Sequence, residues 1–114
     1  MVEYRPRVLD ATYGALSSDA RRAIVLSLLR GEQRVTDLAR PFEMSLAAVS
    51  KHIRVLEDAG IVRRRVEGRA HWLSLDPGPL AAAGGWIEAT RFFWEARIDA
   101  LEALVTEQKA GGGD

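Results

Sequence analysis

The stretch that decides the fold runs from residue 45 to residue 75 and reads SLAAVSKHIRVLEDAGIVRRRVEGRAHWLSL. Its first half predicts a helix that begins after Ser45, its N-cap, and ends before Gly60. Beyond Gly60 the helical period gives way to two short runs, so residues 61–67 and 70–75 are predicted as two strands of a hairpin. An amphipathic helix followed directly by such a hairpin is typical of a recognition helix and its wing.

The segments on either side complete the predicted fold. Capping residues and apolar periodicity predict three helices before this stretch, and a Pro-Gly-Pro break after it leads into one long helix. The fold class is mainly α with a two-stranded β-hairpin wing, a winged helix-turn-helix in the order α-α-α-α-β-β-α. We expect a single domain over residues 1–110, with dimerisation helices at both ends, and a disordered tail over residues 111–114. The predicted helices lie at residues 8–16, at 20–29 behind an N-cap among Ser17, Ser18 and Asp19, at 37–40 behind Thr36, at 46–59, and from Pro79 to about residue 109.

Composition excludes several classes of protein. The 114 residues fit one domain, and 47% hydrophobic residues is typical of a globular chain. With no cysteine the chain has no disulfide, no thiolate zinc ligand and no thiol nucleophile. There is no run of about 18 apolar residues and no secretion signal, so we expect no membrane partner and a cytoplasmic location.

A formal net charge of zero hides an uneven distribution of charge. Residues 34–75 carry eight basic and five acidic side chains, a net charge of +3. Residues 76–114 carry three basic and seven acidic side chains, a net charge of −4, and the first 33 residues contribute +1. The middle of the chain is therefore the part suited to a polyanionic partner.

The predicted recognition helix has two chemically different faces. On a helical wheel, an apolar arc that should face the core contains Leu46, Val49, Ile53 and Leu56. The opposite arc contains Ala47, Ser50, Lys51 and Arg54. Small residues allow close approach to a major groove, serine can bond a base edge, and the two cations can reach guanine or phosphate.

Four arginines crowd the predicted wing, at Arg63, Arg64, Arg65 and Arg69. A hairpin needs no such cluster in order to fold. The guanidinium groups repel one another, and a bound polyanion would relieve that repulsion. The wing and the helix face together favour DNA as the partner.

These residues also carry a family resemblance. Residues 45–75 closely resemble the recognition helix and wing of ArsR-type winged helix-turn-helix repressors, most specifically in Ala-Val-Ser-x-His followed by Leu-x-x-Ala-Gly-Ile-Val. The resemblance implies a homodimer that binds double-stranded DNA at a palindromic operator and represses transcription. Leu46 stands where such repressors often have a polar residue such as glutamine, so it either contacts a thymine methyl or packs inward. Carried over by position, the DNA-binding residues are Ser45, Leu46, Ala47, Ser50, Lys51 and Arg54, with Arg65 and Arg69 at the wing, and the charge argument adds Arg64.

Metal sensing is not expected. Many relatives bind metals through cysteine pairs, or through aspartate and histidine on the last helix, and this chain matches neither pattern. Its two histidines are His52, at the edge of the apolar arc, and His71, in the second wing strand. A packing role is the better interpretation for His52, and we predict neither a metal nor a cofactor.

The last predicted helix carries more apolar surface than one small domain can cover. Its seam, defined as Ile87, Trp94, Ile98, Leu101 and Val105, has the spacing of a coiled coil. A second copy of the chain is the expected cover, although part of the stripe can pack within the chain. The segment RFFWEARIDALEAL also resembles a subgroup of these regulators that lacks metal ligands. The predicted dimerisation residues are Leu9, Tyr13, Ile87, Phe93, Trp94, Ile98, Leu101 and Val105.

Other functions fit the sequence less well. An enzyme is not expected, because the chain has no glycine-rich phosphate loop, no metal-ligand spacing and no Ser/His/Asp set. A winged helix used only for protein–protein contact would show an apolar or acidic face on the recognition helix. Two alternatives stay open. One is a regulator that binds a small-molecule effector in an aromatic pocket at the dimer interface. The other is an activator or architectural protein in place of a repressor.

Overall fold

The computed structural model describes residues 6–111, and the environment of the side chains from residue 7 to residue 108. The mainly helical winged helix-turn-helix is confirmed, with one short strand added after the second helix. Of the predicted disordered tail, Gly111 is the last residue of the final helix, and residues 112–114 lie outside the described residues. The elements are α1 (Pro6–Ala15), α2 (Asp19–Leu28), β1 (Gln33–Arg34), α3 (Val35–Ala39), α4 (Leu46–Asp58), β2 (Val62–Glu67), β3 (Ala70–Leu75) and α5 (Pro77–Gly111).

The predicted two-stranded wing is present as β2 and β3, and the sheet has a third strand that was not predicted, in the order β1-β3-β2. Strands β2 and β3 pair antiparallel over their whole length around the turn at Gly68, whose φ is +61°. Strand β1 pairs with β3 through Gln33 and Leu73. Two residues are too few to show the alternation that identifies a strand in a sequence. The Gln33 amide also donates to the Ser27 carbonyl at 2.7 Å, which anchors β1 to α2.

The core lies where α2, α3 and α4 meet the sheet. On α4 it is formed by Val49, Ile53 and Leu56, each 0% exposed, as the wheel predicts. Leu46 was wrongly placed in the same arc, since it is 54% exposed. As the first residue of α4 it has no neighbouring element covering it, which a wheel angle alone does not reveal. Other buried members of the core include Ile24, Leu28, Leu38, Ile61 and Leu73.

The ends of the helices agree with the predicted caps at α2 and α4 but not at α3. The Ser45 Oγ accepts the Ala48 N–H at 3.1 Å, and Gly60 ends α4 with φ +78°. The Ser18 Oγ accepts the Arg21 N–H at 3.3 Å and so caps α2. Thr36 does not cap α3, because the helix already begins at Val35 behind the extended backbone of β1.

Asp76 joins the end of the wing to the start of α5, which begins two residues earlier than predicted. Its Oδ1 accepts the Gly78 N–H at 3.0 Å, the geometry of an N-cap, and its Oδ2 accepts from Arg63 Nη2 at 2.8 Å. Its own N–H donates to the Ile61 carbonyl at 2.8 Å. The Gly78 N–H, followed by the Arg63 guanidinium, holds the pKa of the Asp76 carboxyl below its usual 3.8.

Asp76 should make the stability of the fold depend on pH. A carboxyl whose pKa is lower in the folded chain stabilises the fold above its unfolded pKa, and this stabilisation is lost as the pH falls through the folded value. We therefore expect Asp76→Asn to lower Tm near neutral pH, and the difference from wild type to shrink progressively as the pH falls below 3.8. Thermal unfolding over a series of pH values from neutral to acidic tests this. Asp10→Asn is the control, because it removes an exposed carboxylate that has no ion pair in the described part of the chain. A difference in Tm between Asp76→Asn and wild type that persists at low pH would contradict the prediction.

Backbone contacts divide the chain into two compact units, one up to Ala83 and one from Gly84 onward. The first holds every element from α1 to β3 and the first turns of α5. The second consists of the rest of α5, where no side chain between residues 84 and 108 is buried. Among the described helices, none has the length and apolar character needed to span a membrane.

Candidate nucleic-acid interface

The outer face of α4 presents the side chains predicted to contact DNA. Ser45, Leu46, Ala47, Ser50, Lys51 and Arg54 are all exposed. This follows from the helical period, because burial of Val49, Ile53 and Leu56 turns the opposite side outward. In the described part of the chain, neither Lys51 nor Arg54 forms an ion pair. Both cations are therefore available to an incoming anion.

A cleft of about 500 Å³ lies between α4 and the wing and brings part of the predicted site together. It is lined by Ser50, Lys51 and Arg54 from α4 and by Arg64 from β2. Glu57 and Asp58, from the last turn of α4, also line it. These two carboxylates are absent from the predicted site, although their position one turn beyond Arg54 places them on neighbouring parts of the helix surface.

Arg64 is tied to the recognition helix. Its Nε and Nη2 donate to the two carboxylate oxygens of Glu57 at 3.2 and 2.7 Å, and its Nη1 donates to His71 Nδ1 at 3.0 Å. The hydrogen bonds to Glu57 raise the pKa of the Arg64 guanidinium, so it stays charged. The Arg64 side chain is only 28% exposed. This bidentate pair fixes the wing against the last turn of α4.

Arg65 lies on the opposite face of the sheet from Arg64, because successive residues of a strand point to opposite sides. It donates to Glu32 at 2.7 Å and to Glu67 at 2.6 Å, and its guanidinium carbon lies 5.5 Å from the centre of the Trp72 ring. The hydrogen bond from Arg65 holds the pKa of the Glu32 carboxyl below its usual value of 4.5. Arg65 is therefore not brought into the cleft with the other predicted residues.

The wing arginines are largely neutralised within the chain, which corrects the repulsion argument made from the sequence. Arg63 pairs with Asp76, Arg64 with Glu57, and Arg65 with Glu32 and Glu67. No polyanion is needed to explain these three arginines. Arg69 differs from them, since it is exposed beside the turn and forms no ion pair among the described residues.

The two histidines have partners that suit structural roles. His52 is partly buried, and its Nδ1 accepts from Arg21 Nη1 at 3.2 Å. His71 is exposed and bonds Arg64, as described above. Across residues 6–111 no group of three or more histidines and carboxylates has an arrangement that could hold a metal ion.

The predicted dimerisation residues occur in both units of the chain. In α1, Leu9 is partly buried, and the Tyr13 hydroxyl donates to the Ala83 carbonyl at 3.0 Å within the same chain. In α5, Phe93 and Trp94 are in edge-to-face contact, with ring centres 6.1 Å apart. The five residues of the seam are between 48% and 56% exposed.

Comparison with known proteins agrees with this geometry. The family model described as "Bacterial regulatory protein, arsR family" matches residues 18–64, which include α2, α3, α4 and the start of the wing. The chain is 42% identical over 99 residues to the HTH-type transcriptional regulator Rv2034 of Mycobacterium tuberculosis, covering 87% of this chain and 90% of that protein. It is 38% identical over 77 residues to a cadmium resistance transcriptional regulatory protein, a CadC homolog of Staphylococcus aureus, covering 67% of this chain and 64% of that protein.

Solved structures show the same architecture. The crystal structure of an ArsR family transcriptional regulator, 36% identical, superposes with a TM-score of 0.75 and covers 83% of this chain and 97% of its own. A homodimeric winged helix-turn-helix DNA-binding domain from Mycobacterium bovis, at 22% identity and a TM-score of 0.62, shares the fold over 77% of this chain and 83% of its own. The chain therefore belongs to the arsR family of bacterial regulatory proteins, DNA-binding regulators of transcription rather than enzymes.

Proposed function

We propose that this regulator is a homodimeric repressor that binds a palindromic operator through α4 and the wing. The observation that carries the proposal is the cleft in which Ser50, Lys51 and Arg54 share one exposed face of α4. A face of this kind is neither apolar nor predominantly acidic, which favours DNA over a protein partner. Repression follows from occupancy, because a dimer bound across a promoter excludes other proteins from the DNA. Its place of action is the chromosome, and hence the cytoplasm.

The residues of α4 take distinct roles in this proposal. Ala47 and Ser50 allow close approach to the major groove, and the Ser50 hydroxyl is placed to bond a base edge. Lys51 and Arg54 contact phosphate or guanine. Ser45 and the free N–H groups of the first turn hold a backbone phosphate. Exposure of Leu46 favours contact with a thymine methyl over inward packing.

The three wing arginines of the proposed interface are not equivalent. Arg69 is available to contact DNA, because it forms no ion pair among the described residues. Arg64 and Arg65 already have carboxylate partners, so they would contact DNA only by exchanging or sharing those partners. The ion pairs of Arg65 are exposed and therefore weak, so a phosphate can compete for its guanidinium, whereas the Arg64–Glu57 pair is more buried. We therefore propose that Arg69 contributes more to binding than Arg64 or Arg65.

The dimer is supported by the exposed stripe on α5 and by the homodimeric state of the Mycobacterium bovis domain, which shares the fold. We propose that the seam and Phe93 pair with their copies in the partner, together with Leu9 and Tyr13 of α1. A two-fold dimer places two recognition helices about one turn of DNA apart, so the operator should be an inverted repeat with half-site centres about 10 bp apart.

Signalling through cysteine thiolates is ruled out for this chain because it has no cysteine. We propose that metals are not its signal, although a relative in Staphylococcus aureus is named for cadmium resistance. If a small-molecule effector exists, the aromatic residues of α5 are the proposed contact, in a pocket that forms only when two chains meet.

Footprinting on the promoter of this protein's own gene tests the proposal. We expect protection of an inverted repeat, with an affinity that falls steeply as salt concentration rises. Protection should be unchanged by zinc or by a chelator. A footprint without two-fold symmetry would contradict the dimeric palindrome, and the lack of any footprint on promoter fragments would contradict operator binding.

Lys51→Ala separates a phosphate contact from a merely exposed cation. If Lys51 holds a phosphate, the slope of log K against log salt should fall by about 0.9 for each phosphate that is no longer neutralised, and so by about two for a dimer. Affinity measurements at several salt concentrations give the slope. Arg30→Ala removes the same charge from an exposed position outside the cleft and should leave the slope unchanged. An unchanged slope for Lys51→Ala would show that it does not contact phosphate.

A further inference from the structure

One arginine of α2 joins the end of α1 to the middle of the recognition helix. Arg21, in the first turn of α2, donates through Nε to the Ala15 carbonyl at 2.6 Å and through Nη2 to the Gly14 carbonyl at 3.3 Å. Its other terminal nitrogen, Nη1, lies 3.2 Å from Nδ1 of His52 in α4. Arg21 is partly buried, and it forms no ion pair among the described residues. Its guanidinium group is therefore a bridge between α1 and α4.

The chemistry of these acceptors explains why an arginine suits this position. The Gly14 and Ala15 carbonyls belong to the last turn of α1, where carbonyls lack partners within the helix and where the helix dipole favours a cation. A guanidinium group can only donate, so Nδ1 of His52 must accept, and the proton of the neutral ring lies on Nε2. The planar fork of the guanidinium group fixes the directions of these bonds together, which a lysine ammonium group would not do.

The helix that Arg21 bonds is also the one proposed to take part in the dimer. Leu9 and Tyr13 of α1 are predicted dimerisation residues, and the Tyr13 hydroxyl ties α1 to the first turns of α5 through the Ala83 carbonyl. The same helix contacts α4. Arg21 therefore connects a helix that would meet the partner subunit with the helix that would enter the major groove.

We propose that Arg21 is a positioning residue, which acts through His52 to hold the recognition helix at a fixed orientation relative to α1. This inference rests on the proposed binding of a dimer to an inverted repeat. His52 directly follows Lys51, so a rotation of α4 that moves the imidazole also moves the face that carries Ser50 and Lys51. In a two-fold dimer the same rotation occurs in both copies and changes the angle and distance between the two recognition helices. Arg21 thereby determines which half-site spacing the dimer accepts.

Arg22 offers a matched control, because it also bonds the end of α1. Its Nη1 donates to the Leu16 carbonyl at 2.6 Å, and its Nη2 pairs with Asp19 of its own helix. Within the described part of the chain, these bonds do not reach α4. A loss of affinity caused only by weakening the end of α1 should appear in Arg22→Ala as well as in Arg21→Ala. An effect confined to Arg21→Ala comes from the contact with α4.

The first measurement is affinity for a series of inverted repeats whose half-sites are moved closer together or farther apart by single base pairs. Each added base pair shifts one half-site by about 3.4 Å and turns it by about 35° around the duplex. Wild type should prefer one spacing. Arg21→Ala should bind that spacing about tenfold more weakly, the effect expected for one lost charge-assisted hydrogen bond, and should discriminate less between spacings. Arg22→Ala should keep the wild-type preference.

Variants of His52 test whether the effect passes through the imidazole. Asparagine can place an amide oxygen near the position of Nδ1, so His52→Asn should keep the spacing preference, whereas His52→Ala should lose it. Arg21→Ala and His52→Ala together should be no more harmful than either alone, because both remove the same bond. Circular dichroism confirms that each variant is folded. If Arg21→Ala is not, the comparison of His52→Asn with His52→Ala decides the question.

Nitrogen NMR of the DNA-free protein tests the bond itself. In mildly alkaline buffer the wild-type His52 ring should carry its proton on Nε2, and its Nδ1 resonance should move in Arg21→Ala but not in Arg22→Ala. A wild-type ring protonated on Nδ1 would overturn the inference, as would a spacing preference that is unchanged in Arg21→Ala or equally weakened in Arg22→Ala. Wild-type operator binding and the His52 signal are measured separately, so failure of operator binding is distinguishable from failure of the Arg21 contact.

Discussion

Replacing Trp94 with aspartate is expected to convert the dimer into monomers that bind the operator poorly. Trp94 is the middle residue of the heptad series Ile87, Trp94 and Leu101, and it is 55% exposed in the single chain. In the proposed dimer that exposed surface becomes buried against the partner. An unpaired carboxylate buried there would cost several kcal/mol, because it loses its water without gaining a counter-charge.

The loss of operator affinity should be large because the two half-sites are read together. In a dimer, binding of one recognition helix holds the other near its half-site at a high effective concentration. A monomer lacks this advantage, so we expect the apparent affinity to fall by about 10²- to 10⁴-fold. Sedimentation equilibrium measures the oligomeric state, and fluorescence anisotropy with operator DNA measures the affinity.

Phe92→Asp is a matched control for this experiment. Phe92 lies two residues away on the same helix and is the most exposed aromatic residue of α5, at 77%. Two residues turn a helix by about 200°, so Phe92 points away from the seam. It should tolerate aspartate and leave the dimer intact. A Trp94→Asp protein that stays dimeric, or a Phe92→Asp protein that dissociates, would show that α5 does not pair through the proposed seam.

Local signals account for what the sequence predicted correctly. The start of α4 depends on a bond between Ser45 and an N–H three residues later, and its end depends on the positive φ of Gly60. The hairpin depends on Gly68 in a tight turn. Each feature is decided by neighbours within a few residues, so a capping or turn residue is enough to identify it.

Long-range contacts account for what the sequence missed. Glu32 precedes its partner Arg65 by 33 residues, so no local pattern connects them. The same applies to β1, whose two residues become a strand only because β3 lies beside them. Once folded, the chain supplies its own carboxylates to Arg63, Arg64 and Arg65. Among the cations of the proposed interface, Lys51, Arg54 and Arg69 form no ion pair with the described residues. Net charge per segment, read from the sequence, could locate the basic region but could not say which of its cations were already paired.

Leu56→Ala and Leu46→Ala should have opposite effects, although both replace a leucine of α4. Leu56 is fully buried, so its truncation leaves a cavity and should cost about 2–5 kcal/mol of unfolding free energy. That is a large share of the roughly 5–15 kcal/mol available to a domain of this size. Leu46 is 54% exposed, and its truncation should change stability by no more than about 0.5 kcal/mol.

For DNA binding, Leu46→Ala should have the larger effect of the two variants, measured at temperatures where both are folded. Leu46→Ala removes an apolar group from the face proposed to enter the major groove, so it should weaken discrimination between the operator and sites with altered thymines. Leu56→Ala leaves that face chemically unchanged and should discriminate as wild type does. Urea unfolding followed by circular dichroism gives the stability, and competition with variant operators gives the discrimination. Equal losses of stability in the two variants would mean that Leu46 is buried. Normal discrimination by Leu46→Ala would remove Leu46 from the interface but would leave the role of Lys51 to its own test.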